Sequence, residues 1–335
     1  MKKQFYGFVI GLTLLAVSAL AQQNQPPLRL IQTIEMPKGM WHFDHFGVDW
    51  KGKRLFATFE DHDTVEVFDL VTGKKIQSIG GLKTPHNVLY LPKLNEIVIT
   101  DGGGTCRFLD SETLKVIRSV QLRGNADFTA YDPIADLFYV TNGGHAINEK
   151  NAFISIIDRS GKKLDDIQLG GSHVEFMAME RSGPRIFVNL TDLGVIGVVD
   201  RQKRKMIASW PLPNVEDNVP IVLDETHHHL FTVSRKPAEL IVFDTDSGKV
   251  MTTLPSVGDS DDMSYDAKRQ RIYVAGGEGY ISVFQEGSSN KFDELAKIQS
   301  GPGGKTAIFV PEVNRFYVGV RGEHEDGKIK VYSVQ

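Results

Sequence analysis

A short pattern recurs seven times along this 335-residue chain, and each copy opens on a residue pair. The pairs are Asp44-His45, His86-Asn87, Asp127-Phe128, Glu175-Phe176, Val219-Pro220, Asp261-Asp262 and Lys305-Thr306. A turn position follows each pair, at Asp49, Leu91, Asp132, Glu180, Asp224, Asp266 and Val310. An apolar, β-rich run then begins at Leu55, Ile97, Phe138, Ile186, Leu230, Ile272 and Phe316. Successive pairs are 41 to 48 residues apart. A period of that length holding only strand-like runs predicts an all-β fold, a β-propeller with one blade per copy.

The first copy resolves into four strands, expected over 46–49, 54–59, 64–70 and 75–79. Thr64-Val65-Glu66-Val67-Phe68 alternates with period two, as a strand with one wetter face requires. Asp69 to Lys74 reads as a hairpin turn with Gly73 at the position needing positive φ, and Asp110, Asp158 and Asp244 open similar turns. Near the N-terminus, Leu30 to Ile34 matches a fourth strand, while the chain stops on a third strand, Ile329 to Val334. The N-terminal strand is therefore expected to complete the seventh blade and close the ring. Six blades would leave one copy over, and no eighth copy is found.

Composition sets the remaining bounds. Lys2 and Lys3, the apolar run Phe8 to Val17 and the small residues Ala19-Leu20-Ala21 read as a secretory signal over 1–21, cleaved before Gln22. Residues 22–28 read as a flexible tether and 29–335 as a single propeller domain. This implies a periplasmic or secreted protein with no transmembrane segment in the mature chain. The formal net charge of −4 becomes −6 without Lys2 and Lys3, which disfavours nucleic acid as a partner. The single cysteine, Cys106, excludes an intramolecular disulfide, falls at an inward strand position and reads as a buried inert thiol. Without a Cys-x-x-Cys-His run, covalent haem is not expected. Gly102-Gly103-Gly104 joins two strands with no helix following, so no nucleotide is expected.

Tyr139-Val140-Thr141-Asn142 spells the signature of the YVTN-type β-propeller repeat family, and Ile272-Tyr273-Val274-Ala275 is a close variant. Ile186 to Asn189 and Phe316 to Gly319 are looser ones. The chain resembles that exported, seven-bladed group over nearly its whole mature length. The motif is structural and implies a fold rather than a reaction.

In such a fold the seven pairs converge at one mouth of the central channel. Crowded carboxylates there repel one another unless a cation, water or protons compensate. Asn87, Asp127, Glu175, Asp261 and Asp262 are accordingly candidate ligands for a divalent metal, Ca²⁺, Zn²⁺ or Mn²⁺. Trp41, Asp44, Phe128, His173, Phe176, Asn218 and Lys305 are candidate ligand contacts, the aromatic rings supplying apolar walls. An alternative reading is a solvated channel with no ligand. Two functions remain open. One is non-catalytic recognition of a small molecule, a metal or an exported or cell-envelope protein, with a surface patch expected to involve Trp41, His62, His145 and His324. The other follows an architectural likeness to metal-dependent lactonases and esterases, which implies ion ligation by Glu175, Asp127, Asn87 and Asp261, and His45 or His86 as general base. His227-His228-His229 reads as a surface cluster in a turn away from the mouth. Gly143 to Asn151, inserted in the longest repeat, reads as a loop over it.

Overall fold

The computed structural model describes residues 25–37, 39, 41–321 and 326–335. The signal segment 1–21, residues 22–24 of the tether, Lys38 and His324 lie outside the described residues. Seven four-stranded antiparallel sheets form the blades. The first six span 43–79, 85–121, 129–168, 174–211, 216–255 and 263–299. The seventh joins 306–334 to the N-terminal strand Leu28–Glu35. Inner strands of successive blades touch in chain order, and that of blade 7, Thr306–Val310, touches that of blade 1, Phe43–Asp49. The seven-bladed, all-β architecture read from the repeat is therefore the architecture observed.

Second and third strands are apolar on both faces because a neighbouring blade covers each face. In Arg54–Phe59, every residue after Arg54 is buried. The outer strand Lys75–Ile79 has solvent on one side and is almost wholly exposed. The core is correspondingly a ring of clusters between blades. One of them packs Phe46, Phe59 and Leu70 of blade 1 against Tyr317, Ile329 and Val331 of blade 7. Burying each such side chain contributes about 1.5–3 kcal/mol. Cys106 is fully buried, and burial pushes its thiol well up, leaving it inert.

The outer hairpins follow their sequence signals. Asp69 Oδ1 accepts the Val71 and Thr72 amides at 3.0 and 2.7 Å, and Gly73 takes φ 71°. Ring closure also occurs as expected. Leu28–Glu35 pairs antiparallel with Lys328–Val334, and the Gln335 amide donates to the Pro27 carbonyl at 2.9 Å. One boundary is corrected: Pro27 and Leu28 are buried and bound into blade 7, so the tether does not reach residue 28.

Candidate functional site

The opening pairs lie where the inner strands are irregular. Ladder register shifts between Phe43 and Phe46, Pro85 and Asn87, Val174 and Met177, and Asn218 and Ile221. These β-bulges contain Asp44-His45, His86, Glu175-Phe176 and Val219-Pro220. In blades 3, 6 and 7, Asp127-Phe128, Asp261-Asp262 and Lys305 stand just before the strands Thr129–Asp132, Met263–Asp266 and Thr306–Val310. A bulge frees backbone groups from the ladder and re-aims side chains. The second strand then satisfies the freed groups. Thr58 Oγ1 accepts the His45 amide at 2.9 Å and donates to its carbonyl at 3.0 Å. Thr141 Oγ1 accepts the Phe128 amide at 2.9 Å, and Thr232 Oγ1 donates to the Pro220 carbonyl at 2.9 Å. Thr100 reaches across to the Asp127 carbonyl.

The result is a cavity of about 280 Å³ at the channel mouth. His45 is its hub. Its Nδ1 lies 3.2 Å from Asp262 Oδ1, and its Nε2 lies 3.2 Å from Asp44 Oδ1 and 4.0 Å from Asp127 Oδ1. The Phe176 ring meets its edge, with centroids 4.6 Å apart. Asp262 Oδ2 also accepts the Ala307 amide at 2.8 Å, so this carboxylate ties blade 6 to blades 7 and 1. His86 Nδ1 contacts Asp44 Oδ2 at 2.6 Å and Glu60 Oε1 at 3.5 Å. Further round the wall, His173 Nε2 meets Glu175 Oε1 at 2.8 Å. Lys305 Nζ lies 2.8 Å from Asp261 Oδ2, and Arg235 pairs with Asp261 Oδ1.

Two groups of potential ligand atoms share Asp44: Asp44, His45 and Asp127, and Asp44, Glu60 and His86. Within each group the atoms lie within 4.8 Å of one another. Among the described residues, buried Asp127 Oδ1 has no hydrogen-bond partner. Burial pushes the Asp127 carboxyl up to about 7, with the Asp44 charge adding to the rise and the His86 and His45 charges opposing it. Burial alone would depress both imidazoles. The Asp44, Asp262 and Asp127 carboxylates instead hold His45 well above the usual histidine range. The Asp44 hydrogen bond and the surrounding carboxylate charges hold His86 up at about 9. Imidazolium protons therefore supply the compensation the crowded carboxylates require. In the imidazolium form that these shifts favour, neither ring accepts a proton, and loss of that proton is what would free His45 Nε2 for a metal.

The structure brings together, in the cavity wall, Asp44, His45, His86, Asp127, His173, Glu175, Asp261 and Lys305. Asp262 and Phe176 touch His45. Four other expected contacts are placed elsewhere. Trp41 packs between blades 7 and 1 on Phe59 and stacks on His62 at 4.3 Å, with its indole N–H bound to the Pro37 carbonyl. Phe128 packs on Phe176 at 5.0 Å. Asn218 is fully buried between blades 4 and 5 and donates to Asn189 Oδ1 at 2.7 Å. Asn87 is buried outside the cavity lining. The 143–151 insertion contributes His145 and Ala146 to the wall, His145 meeting the His173 ring at 4.4 Å. Glu60, with Phe43, Asn125, Arg235 and Arg321, lines the wall without having been singled out as a site residue in the sequence. The signal for Glu60 is position: it directly follows the second strand, Arg54–Phe59, in the link to the third strand of blade 1.

No protein-family model matches the chain, and no curated protein matches it. Among solved structures it is similar to a chain of Kuenenia stuttgartiensis hydrazine synthase, with a TM-score of 0.75 at 14% identity, over 90% of this chain and 99% of that one. At that identity the likeness shows the propeller fold alone. Among the described residues no helix is long and apolar enough to cross a membrane.

Proposed function

We propose that this propeller binds a divalent transition-metal ion at the channel mouth through Asp44, His45 and Asp127, and with it a small polar ligand. The unpartnered Asp127 Oδ1, 4.0 Å from His45 Nε2, carries this reading. Metal bonds of about 2.0–2.2 Å place one ion within reach of both atoms. Asp262 on Nδ1 then acts as the outer carboxylate that fixes the ring of a metal-binding histidine. Imidazole beside carboxylates favours Zn²⁺ or Mn²⁺ over Ca²⁺, whose ligands are oxygens. The cavity volume suits a ligand of few non-hydrogen atoms, with Lys305 and Arg235 in its lining to orient its negative end. No hydrolytic step is assigned.

Chelator-treated protein titrated with Zn²⁺ or Mn²⁺ by calorimetry tests this. Wild type should take up one equivalent at the mouth that Asp44→Asn/Asp127→Asn lacks. Binding should release protons and tighten as pH rises, because the ligands must be deprotonated. Native-state binding should raise Tm by mass action, worth about 2.7 kcal/mol at a hundredfold excess over Kd. Equal stoichiometry in wild type and the double variant would leave only a hydrated channel.

A further inference from the structure

A second cluster lies away from the channel, where the turn after the inner strand of blade 5, Glu216–Asp224, meets blade 6. His227, His228 and His229, grouped in the sequence as one surface run, separate here. His228 is exposed and bonds Asp246 at 3.1 Å. His229 is only 2% exposed and sets Nδ1 2.6 Å from Glu286 Oε1. His227 sets Nδ1 2.5 Å from Asp224 Oδ2 and 4.0 Å from Glu286 Oε1. The Tyr265 hydroxyl touches both acids, at 2.6 Å from Asp224 Oδ2 and 2.7 Å from Glu286 Oε2.

The other blades provide a comparison. At the turn position equivalent to Asp224, Asp49 pairs with Arg54, Asp132 with Arg201, Glu180 with Arg185 and Asp266 with Arg269. Five residues after the acid, where Arg54 and Arg185 supply the cation, blade 5 has His229. It also faces a second acid, Glu286, from blade 6. Among the described residues no lysine or arginine pairs with Asp224 or Glu286. Tyr265 has one hydroxyl proton, which satisfies one of its two carboxylate contacts. The other contact requires a further proton or a cation, because two buried carboxylates this close are costly uncompensated. The repeat has thus replaced its arginine strap with imidazole, carboxylate and phenol.

We propose that Asp224, His227 and Glu286 form a zinc-type metal site that pins blade 5 to blade 6, with His229 and Tyr265 orienting its carboxylates. The three ligand atoms lie within 4.8 Å of one another. Small movements bring them to Zn–N and Zn–O distances of about 2.0–2.2 Å, leaving a fourth position for water. His227 is the half-exposed member and gives the ion a path from solvent. Gln270 Nε2 lies 3.3 Å from His227 Nε2. Turned about its axis, that amide presents its oxygen, holds the proton on Nε2 and frees the Nδ1 lone pair for the metal.

The full chain carrying Asp44→Asn/Asp127→Asn, which leaves this cluster intact, is the test protein. After chelation it is titrated with Zn²⁺, and with Co²⁺ as an absorbing substitute. One equivalent should bind, Tm should rise, and adding His227→Gln should weaken binding at least tenfold with unchanged circular dichroism. Should the channel variant not fold, metal analysis of wild type against His227→Gln gives the same answer, with one equivalent fewer expected in the variant. No uptake in the channel variant, or undiminished uptake with His227→Gln, would overturn the site and leave a proton-shared hydrogen-bond network. Either result stands apart from the fate of the channel site, which contains none of these residues.

Discussion

At the scale of single residues, the channel site depends on side chains that never face the channel. Thr58 holds both backbone groups that the bulge at Asp44-His45 removes from the ladder. Thr58→Val keeps the volume and leaves the buried His45 N–H without a partner. Such a loss costs about 1–3 kcal/mol. Thermal melts should show this destabilisation, and calorimetry should show weaker uptake at the mouth, because His45 loses its fixed orientation. The same loss of Tm with unchanged metal affinity would mean that Thr58 serves packing alone. The Thr141 of the YVTN-like run has a comparable task at Phe128, which gives that residue a physical reason to be there. The sequence made the polar pairs visible because they recur at a fixed step. It did not reveal their aim. Period-two reasoning assumes an unbroken ladder, and the bulge breaks it where Asp44, His86 and Glu175 stand. Asn218 shows the consequence: one residue before its pair, it turns between blades to bond Asn189 and not toward the axis.

At the scale of elements, strand limits were largely legible. Arg54–Phe59 and Lys75–Ile79 lie where alternation and turn residues predict, while the inner strand begins at Phe43, before its bulge, and not at Phe46. Contacts between blades were not legible, because each joins positions a full repeat apart. Glu96, opening the second strand of blade 2, accepts from Arg118 of its own blade at 2.8 Å and from Arg159 of blade 3 at 2.8 Å. Burial pushes Glu96 up, but the hydrogen bonds and charges of both arginines outweigh it and hold its carboxyl low. A depressed folded pKa contributes stability that is complete above the unfolded value of about 4.3 and is lost as pH falls through the folded one. Glu96→Gln should therefore lower stability near pH 6 by about 1–2 kcal/mol. The gap between variant and wild type should narrow as melts are repeated toward pH 3. A gap independent of pH would assign the effect to packing.

At the scale of the whole molecule, one short strand holds the ring shut and thereby assembles the site. Asp44 and His45 come from blade 1, Asp127 from blade 3, Asp262 from blade 6 and Lys305 from the entry to blade 7. Blades 7 and 1 join directly where Thr306 Oγ1 donates to the Phe43 carbonyl at 3.2 Å, one residue before Asp44. The Ile34 side chain of the N-terminal strand packs in the cluster shared by those two blades, and Leu28 packs in blade 7. Deleting residues 1–35 removes both side chains, worth roughly 3–6 kcal/mol together. It also exposes Lys328–Val334 as an unpaired edge, a template for self-association. At about 2 °C per kcal/mol, Tm should fall by roughly 6–12 °C. Because opening the 7–1 seam separates Asp262 from His45, metal uptake at the mouth should fall with it. Uptake at Asp224, His227 and Glu286, held between blades 5 and 6 on the far side of the ring, should persist. Titrating the truncated chain with Zn²⁺ measures both effects at once, and retention of the mouth equivalent would show that the inner strands hold the channel site without the closing strand.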